Sequence, residues 1–127
     1  MDWTYNPMAA LFFAVEEECK ENSAVYVFWG AGTLKDVKSS PLELKKLIRY
    51  RPPHVSTRIA AQAGLFTVHP EPVKAFTHDS MMRIVIENSG RRDIKKTLNK
   101  YGVSRRNLFS GLDGLATNLK WLETSKY

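Results

Sequence analysis

Residues 2–15 read DWTYNPMAALFFAV, and this stretch carries a strong signal for the start of a helix. Asn6 is suited to accept hydrogen bonds from the first free N–H groups of a helix. Pro7 fits the first helical position because its fixed φ is already helical. Apolar residues recur at helical spacing over Met8–Val15, and the residues between them are also apolar. The stretch therefore predicts a helix over Met8–Val15 that is buried nearly all round.

Acidic residues follow this helix directly, at Glu16, Glu17 and Glu18. Negative charge at a helix C-terminus opposes the helix macrodipole. The sequence therefore predicts that this end of the helix frays.

The remaining segments alternate between strand-like and helix-like patterns. β-Branched and aromatic residues predict strands at Ala24–Trp29, Leu65–Val68 and Met82–Ile86. Helical spacing predicts helices at Pro41–Tyr50, Asp93–Tyr101 and Leu112–Leu122, and Ser104 caps a short turn that runs to Phe109. Arg58–Ala63 is either one helical turn or an irregular connection. The expected fold is one α+β domain over residues 1–127, with a small mixed sheet of roughly three to five strands packed with about four or five helices.

Spacing also predicts which side chains face the core. In the helix Asp93–Tyr101 these are Ile94, Leu98 and Tyr101, and in Leu112–Leu122 they are Leu112, Leu115, Leu119 and Leu122. The tryptophans Trp3, Trp29 and Trp121 are expected in the core.

Composition excludes several classes of protein. No apolar run approaches the roughly 18–20 residues that span a bilayer, and no basic segment precedes the run at Met8–Val15, so neither a membrane span nor a signal peptide is expected. The one cysteine, Cys19, excludes an internal disulfide and a cysteine zinc cage, which suits the reducing cytoplasm. The histidines His54, His69 and His78 have no metal-ligand spacing, so no metal is expected and His54 and His69 are expected to be ordinary loop residues.

The net charge is +6, from 19 basic and 13 acidic residues, and the excess is concentrated in one segment. We call the cations of this segment the basic cluster: Arg91, Arg92, Lys95, Lys96, Lys100, Arg105 and Arg106. Such a cluster is suited to an anionic partner, including nucleic acid. The same pattern is also typical of a solvated amphipathic helix, with Arg92, Lys96 and Lys100 along its outer side.

Four polar residues are candidates for ligand binding. Thr4 and Asn6 lie where a helix N-terminus can hold a ribose or a phosphate, although capping alone also accounts for Asn6. Arg58 and Gln62 are four residues apart, so on a helix they share a face and can bind an anionic ligand together. The alternative is that Arg58 pairs with a carboxylate of the chain and Gln62 satisfies buried backbone.

Three ordered stretches resemble the C-terminal half of the FRG domain family. They are the segment Asp2–Val15 quoted above, RIAAQAGLFTVHP at Arg58–Pro70, and LFSGLDGL at Leu108–Leu115. Ser110 stands where the family has proline, and nothing corresponds to the family's upstream Phe-Arg-Gly part. FRG domains distantly resemble the ADP-ribosyltransferase fold. By that resemblance, Thr4 and Asn6 of this chain match a polar segment of the fold. The Arg or His of an early strand is absent, and Gln62 and Gly64 stand where that fold carries a catalytic glutamate.

The resemblance implies a non-catalytic interaction module without a cofactor, which binds a protein partner in phage defence or counter-defence. A partner or a second copy is expected to contact the region around Phe12, Phe13 and Trp29, which the missing half would cover. The first alternative is an ADP-ribosyltransferase-like enzyme that uses NAD, alone or with a separate N-terminal half. The second alternative is a nucleic-acid binder that uses the basic cluster. No membrane partner is expected.

Overall fold

A computed structural model describes residues 1–29, 47–52, 56–71 and 73–125. These ranges contain both helices and antiparallel sheets, so the predicted α+β class is confirmed. In chain order the elements are β1 (Asp2–Thr4), α1 (Pro7–Val15), β2 (Ser23–Phe28), β3 (Ile48–Tyr50), α2 (Thr57–Ala61), β4 (Gly64–Val68), β5 (Met81–Ile86), α3 (Arg91–Lys100), α4 (Arg105–Leu108) and α5 (Leu112–Thr124), with a 3₁₀ helix at Asn88–Gly90 before α3.

α1 begins as its sequence predicts. The Asn6 side-chain oxygen accepts hydrogen bonds from the N–H groups of Met8, at 3.0 Å, and Ala9, at 3.4 Å. Pro7 occupies the first turn, where its missing N–H costs nothing. The start of α1 is therefore set by adjacent residues alone.

The strands form two antiparallel sheets, which differs from the single mixed sheet expected from the sequence. One sheet has the order β1-β4-β3, and the other contains β2 and β5. Trp3 lies opposite Leu65 in the first sheet, and Val25 lies opposite Ile84 in the second. In both sheets the pairing joins strands that long stretches of chain separate, β1 with β4 and β2 with β5.

The helix predicted at Pro41–Tyr50 is wrong at its C-terminal end, and residues 41–46 lie outside the described ranges. Ile48–Tyr50 is strand β3, with Ile48 opposite Val68 of β4. Tyr50 stacks on Phe66 with the ring centroids 6.5 Å apart. Pairing with β4 therefore overrides the helical spacing of the leucines that precede β3.

The core lies between α1, α3 and α4. Its buried members are Ala9, Phe12, Val15, Leu98 and Leu108, with Ile86 and Ile94 packed against them. Phe12 is 2% exposed, so its predicted place on an interaction surface is wrong. Helix α1 anchors the core because its apolar residues cover more than one side.

Several side chains that the sequence places in the core are exposed. Tyr101 is 74% exposed and Trp29 is 59% exposed, while Leu112 at the start of α5 is 83% exposed. Tyr101 follows the last residue of α3, so the helical spacing no longer directs its side chain inward. Trp29 likewise follows the end of β2.

The inward face of α5 centres on the buried residues Gly114 and Asn118. Of the predicted leucine stripe, Leu115 and Leu122 are half-buried, whereas the prediction is wrong for Leu112 and Leu119. A Cβ atom on Gly114 would collide with the Phe109 carbonyl oxygen. Only glycine permits this approach, so the helix packs closely on the Phe109 backbone. Leu112 and Leu119 consequently face outward.

Candidate functional site

Three members of the basic cluster point inward and hold the C-terminal end of α1. Arg91 is buried and donates to the backbone oxygen of Glu17 and, at 2.6 Å, to the hydroxyl oxygen of Ser23. Lys95 Nζ donates to the Glu16 carbonyl oxygen at 2.5 Å, and Arg105 pairs with the Glu16 carboxylate. Cations near the last carbonyls of a helix favour its macrodipole. These contacts stabilise the end that was predicted to fray.

Desolvation lowers the pKa of Lys95, and the nearby carboxylates of Glu16 and Glu18 oppose this by raising it. The ammonium of Lys95 also lies 5.1 Å from the centre of the Trp121 ring. Lys95 is therefore engaged by its own chain rather than offered to an anionic partner.

The other members of the basic cluster lie towards the outside. Arg92 donates to the Ser125 carbonyl oxygen at 3.0 Å, Lys96 also has a partner within the chain, and Lys100 and Arg106 are exposed. The seven cations that are neighbours in sequence thus divide between an inner set and an outer set. The seven cations therefore do not share one exposed surface.

An open cleft of about 980 Å³ lies between the two sheets, with α1 and α2 alongside. Its lining includes Thr4, Arg58 and Gln62, three of the four residues singled out in the sequence. The cleft is bordered by β1, α1, α2, β2, β5 and the segment 75–78. Its lining residues are Met1, Asp2, Trp3, Thr4, Ala10, Phe13, Ala14, Ala24, Val25, Tyr26, Arg58, Gln62, Ala75, Phe76, Thr77, His78, Met81 and Arg83.

The polar candidates at the cleft are mostly used by the fold itself. The Thr4 hydroxyl donates to the Gln62 carbonyl oxygen at 2.6 Å and accepts the Asn6 N–H at 2.9 Å. The Gln62 side-chain amide donates to the Leu108 carbonyl oxygen at 3.0 Å. These bonds join β1, α2 and α4, so Asn6 is a cap and Gln62 is largely a structural link.

Two guanidinium groups line the cleft, those of Arg58 and Arg83. Within the described ranges neither forms an ion pair with a carboxylate. Arg58 packs on the Phe109 ring, with 4.8 Å between its guanidinium carbon and the ring centre. No local motif in the sequence marks Arg83, because its position opposite Tyr26 depends on the pairing of β2 with β5.

An aromatic cluster borders the cleft: Trp3, Phe76 and His78 line it, and Phe28 packs against all three. The centroids of Phe28 and Phe76 are 5.3 Å apart, and that of Trp3 lies 5.7 Å from Phe28. His78 approaches Phe28 edge-on at 5.1 Å. Edge-to-face and tilted pairs of this kind fix ring positions. No local pattern in the sequence indicated this cluster, since its members come from three separate segments.

Hydrogen bonds fix Trp3, a member of the aromatic cluster, on strand β4. The Trp3 indole N–H donates to the Thr67 hydroxyl at 2.8 Å, and the same hydroxyl lies 2.7 Å from His69 Nε2. Thr67 is buried, so its hydroxyl proton needs an acceptor, and neutral His69 supplies one. Desolvation of the ring and, to a smaller extent, the positive charge of the N-terminus lower the pKa of His69. His54 lies outside the described residues.

In the ranges given above, no group of three or more His, Cys, Asp or Glu residues is placed to hold a metal ion. No helix in those ranges is long and apolar enough to cross a membrane. The lining of the cleft combines apolar side chains, aromatic rings and the two guanidinium groups of Arg58 and Arg83.

Comparison of the chain with protein-family models, curated proteins and solved structures found no match. The resemblance to the FRG family remains a prediction from the sequence.

Proposed function

We propose that this chain is a non-catalytic interaction module and that its cleft binds a protein partner. The observation that carries the proposal is the uncovered side of α1. This helix has no polar side chain from Pro7 to Val15, and such a helix is normally buried on every side. Yet Ala10, Phe13 and Ala14 line the open cleft, and Phe13 is 41% exposed.

The charges of the cleft favour a protein as its binding partner over an apolar small molecule. Arg58 and Arg83 have no carboxylate partner in the described part of the chain, so an acidic side chain of a partner would complement them. Protein interfaces are enriched in aromatic residues and arginine, as this cleft is. Its volume of about 980 Å³ lies at the upper end of the range of about 300–1,000 Å³ for small-ligand pockets.

The hydrogen bonds of Thr4 and Gln62 favour binding over catalysis. Both side chains are bonded to groups of their own chain, so neither is placed to orient a sugar or an acceptor. A transferase of the kind implied by the FRG resemblance stabilises a cationic sugar with a carboxylate. An amide bonded to the Leu108 carbonyl is a poor substitute for that carboxylate.

Peptides selected from a displayed random library against the wild-type chain provide the test. Phe13→Glu is expected to weaken their binding about tenfold or more, because it places a charge on the apolar floor of the cleft. Leu112→Glu is the matched control, since Leu112 is exposed on α5 outside the cleft. It should bind the peptides as the wild type does.

A second variant keeps the test informative if Phe13→Glu fails to fold. Arg83→Glu changes an exposed side chain on β5 and leaves the core untouched. It should weaken binding of the acidic peptides selected by the wild type. Equal binding by Arg83→Glu, Leu112→Glu and the wild type would overturn the proposal.

A further inference from the structure

The outer edge of β1 has no neighbouring strand among the residues described. Met1 and Thr67 exchange two backbone hydrogen bonds, each of 2.9 Å. Hydrogen bonding alternates along an antiparallel pair, so the next groups that bond to β4 belong to Trp3. The N–H and C=O groups of Asp2 and Thr4 therefore point away from β4.

The edge of β2 that faces away from β5 is open in the same sense. The Trp29 N–H donates to the Ser80 carbonyl oxygen at 3.2 Å, in line with the register of β2 and β5. By the same alternation, the N–H and C=O groups of Ala24, Tyr26 and Phe28 point away from β5.

Both open edges border the cleft. Consecutive residues of each strand line it, namely Asp2, Trp3 and Thr4 of β1 and Ala24, Val25 and Tyr26 of β2. Successive side chains of a strand point to opposite faces, so a cavity lined by consecutive residues reaches the edge of that strand. Met81 and Arg83 of β5 also line the cleft, so it extends over one face of the second sheet as well. No strand pairing joins β1 to β2 in the described ranges.

Resting on the function proposed above, we infer that the partner supplies an extended segment that lies between β1 and β2 and pairs with both. The two small sheets would then become one continuous sheet, with the order β3-β4-β1, partner strand, β2-β5. Strand addition gives affinity through main-chain hydrogen bonds and specificity through the side chains that alternate along the segment.

The cleft also specifies the chemistry of the segment. One face of an inserted strand would pack on Ala10, Phe13 and Ala14 of α1, which requires apolar residues at alternate positions. An acidic residue would pair with Arg58 or Arg83. The chain's own β2 has no charged residue and its β5 carries Arg83 itself, so neither strand from a second copy complements the cleft.

The probe is a panel of synthetic peptides in which valine alternates with threonine and one position carries glutamate. Amide hydrogen exchange of the isotopically labelled chain is measured with and without the tightest peptide. Exchange should slow at Ala24, Tyr26 and Phe28 and at Thr4. Val25 should change little, because its amide already bonds to β5.

Two N-methylated forms of that peptide test the pairing with both edges. One form carries methyl groups on the odd-numbered amides and the other on the even-numbered amides, and each should bind about tenfold or more weakly, since an inserted strand uses both sets. Loss of binding in only one form would overturn insertion in favour of addition at a single edge.

The remaining outcomes separate this inference from the proposed function. Binding that is weakened by Phe13→Glu yet unaffected by either methylated form would retain the cleft as the binding site and overturn strand insertion. Binding that is unaffected by both Phe13→Glu and Arg83→Glu would overturn the two together. Slow exchange at Tyr26 without peptide, combined with dimers in sedimentation, would identify the occupant as a second copy.

Discussion

Replacing Arg91 with methionine is expected to destabilise the fold, because this side chain is 7% exposed and ties α3 to the end of α1. It donates one hydrogen bond to the Glu17 carbonyl and one to Ser23. A hydrogen bond to a charged group contributes about 1.5–3 kcal/mol, and a cation at a helix C-terminus up to about 2 kcal/mol. Water can reach the exposed Glu17 after the change, so we expect a net loss of about 2–4 kcal/mol in the free energy of unfolding.

The assay is urea denaturation followed by circular dichroism. The midpoint should fall while the slope stays constant, which reports lost stability rather than a changed denatured state. Lys100→Met is the matched control, since Lys100 is exposed on the same helix and should shift stability by about 0.5 kcal/mol or less. Equal midpoints for the two variants would refute the assignment of Arg91 to the fold.

Three further outcomes are expected. Gly114→Ala should lower the melting temperature strongly, because its Cβ would collide with the Phe109 carbonyl oxygen, whereas Ala116→Ser on the exposed side of α5 should not. The pKa of His69 is lowered in the folded chain, so the stability that it contributes is present above its unfolded pKa of 6.5 and is lost as the pH falls. Melting temperatures measured across mildly acidic pH should show this loss, and His69→Gln should make the melting temperature depend less on pH. Labelled NAD should transfer no label to candidate protein or nucleic-acid acceptors, and transfer by the wild type that Gln62→Ala lacks would instead favour the enzyme alternative.

Local signals in the sequence predict the elements that depend on neighbouring residues. The cap at Asn6 and Pro7 sets the start of α1, and the β-branched runs locate β2, β4 and β5 to within a residue or two. Strands β1 and β3 have three residues each, too few for a periodic pattern, and they exist because both pair with β4. Local sequence patterns therefore carry no information about strand pairing between distant segments of the chain.

The same limit applies to the site. Thr4, Arg58 and Gln62 were found because each belongs to a local motif, and the structure brings all three to one cleft. Arg83 and Phe76 belong to no motif and reach the cleft through sheet pairing and aromatic packing.

The basic cluster shows the opposite effect. Sequence proximity suggested one surface, but Arg91, Lys95 and Arg105 turn inward because the carbonyls and carboxylate at the end of α1 lie there. A count of neighbouring cations cannot distinguish an exposed patch from an internal set of helix-capping contacts.

The central claim is that a partner covers the open side of α1. Covalent footprinting with a photoactivated carbene measures the accessibility of individual side chains, in the free chain and in its complex with the tightest peptide of the panel. Labelling of Phe13 should fall in the complex, while labelling of the equally apolar Leu112 stays constant. Unchanged labelling of Phe13 in a saturated complex would contradict the claim.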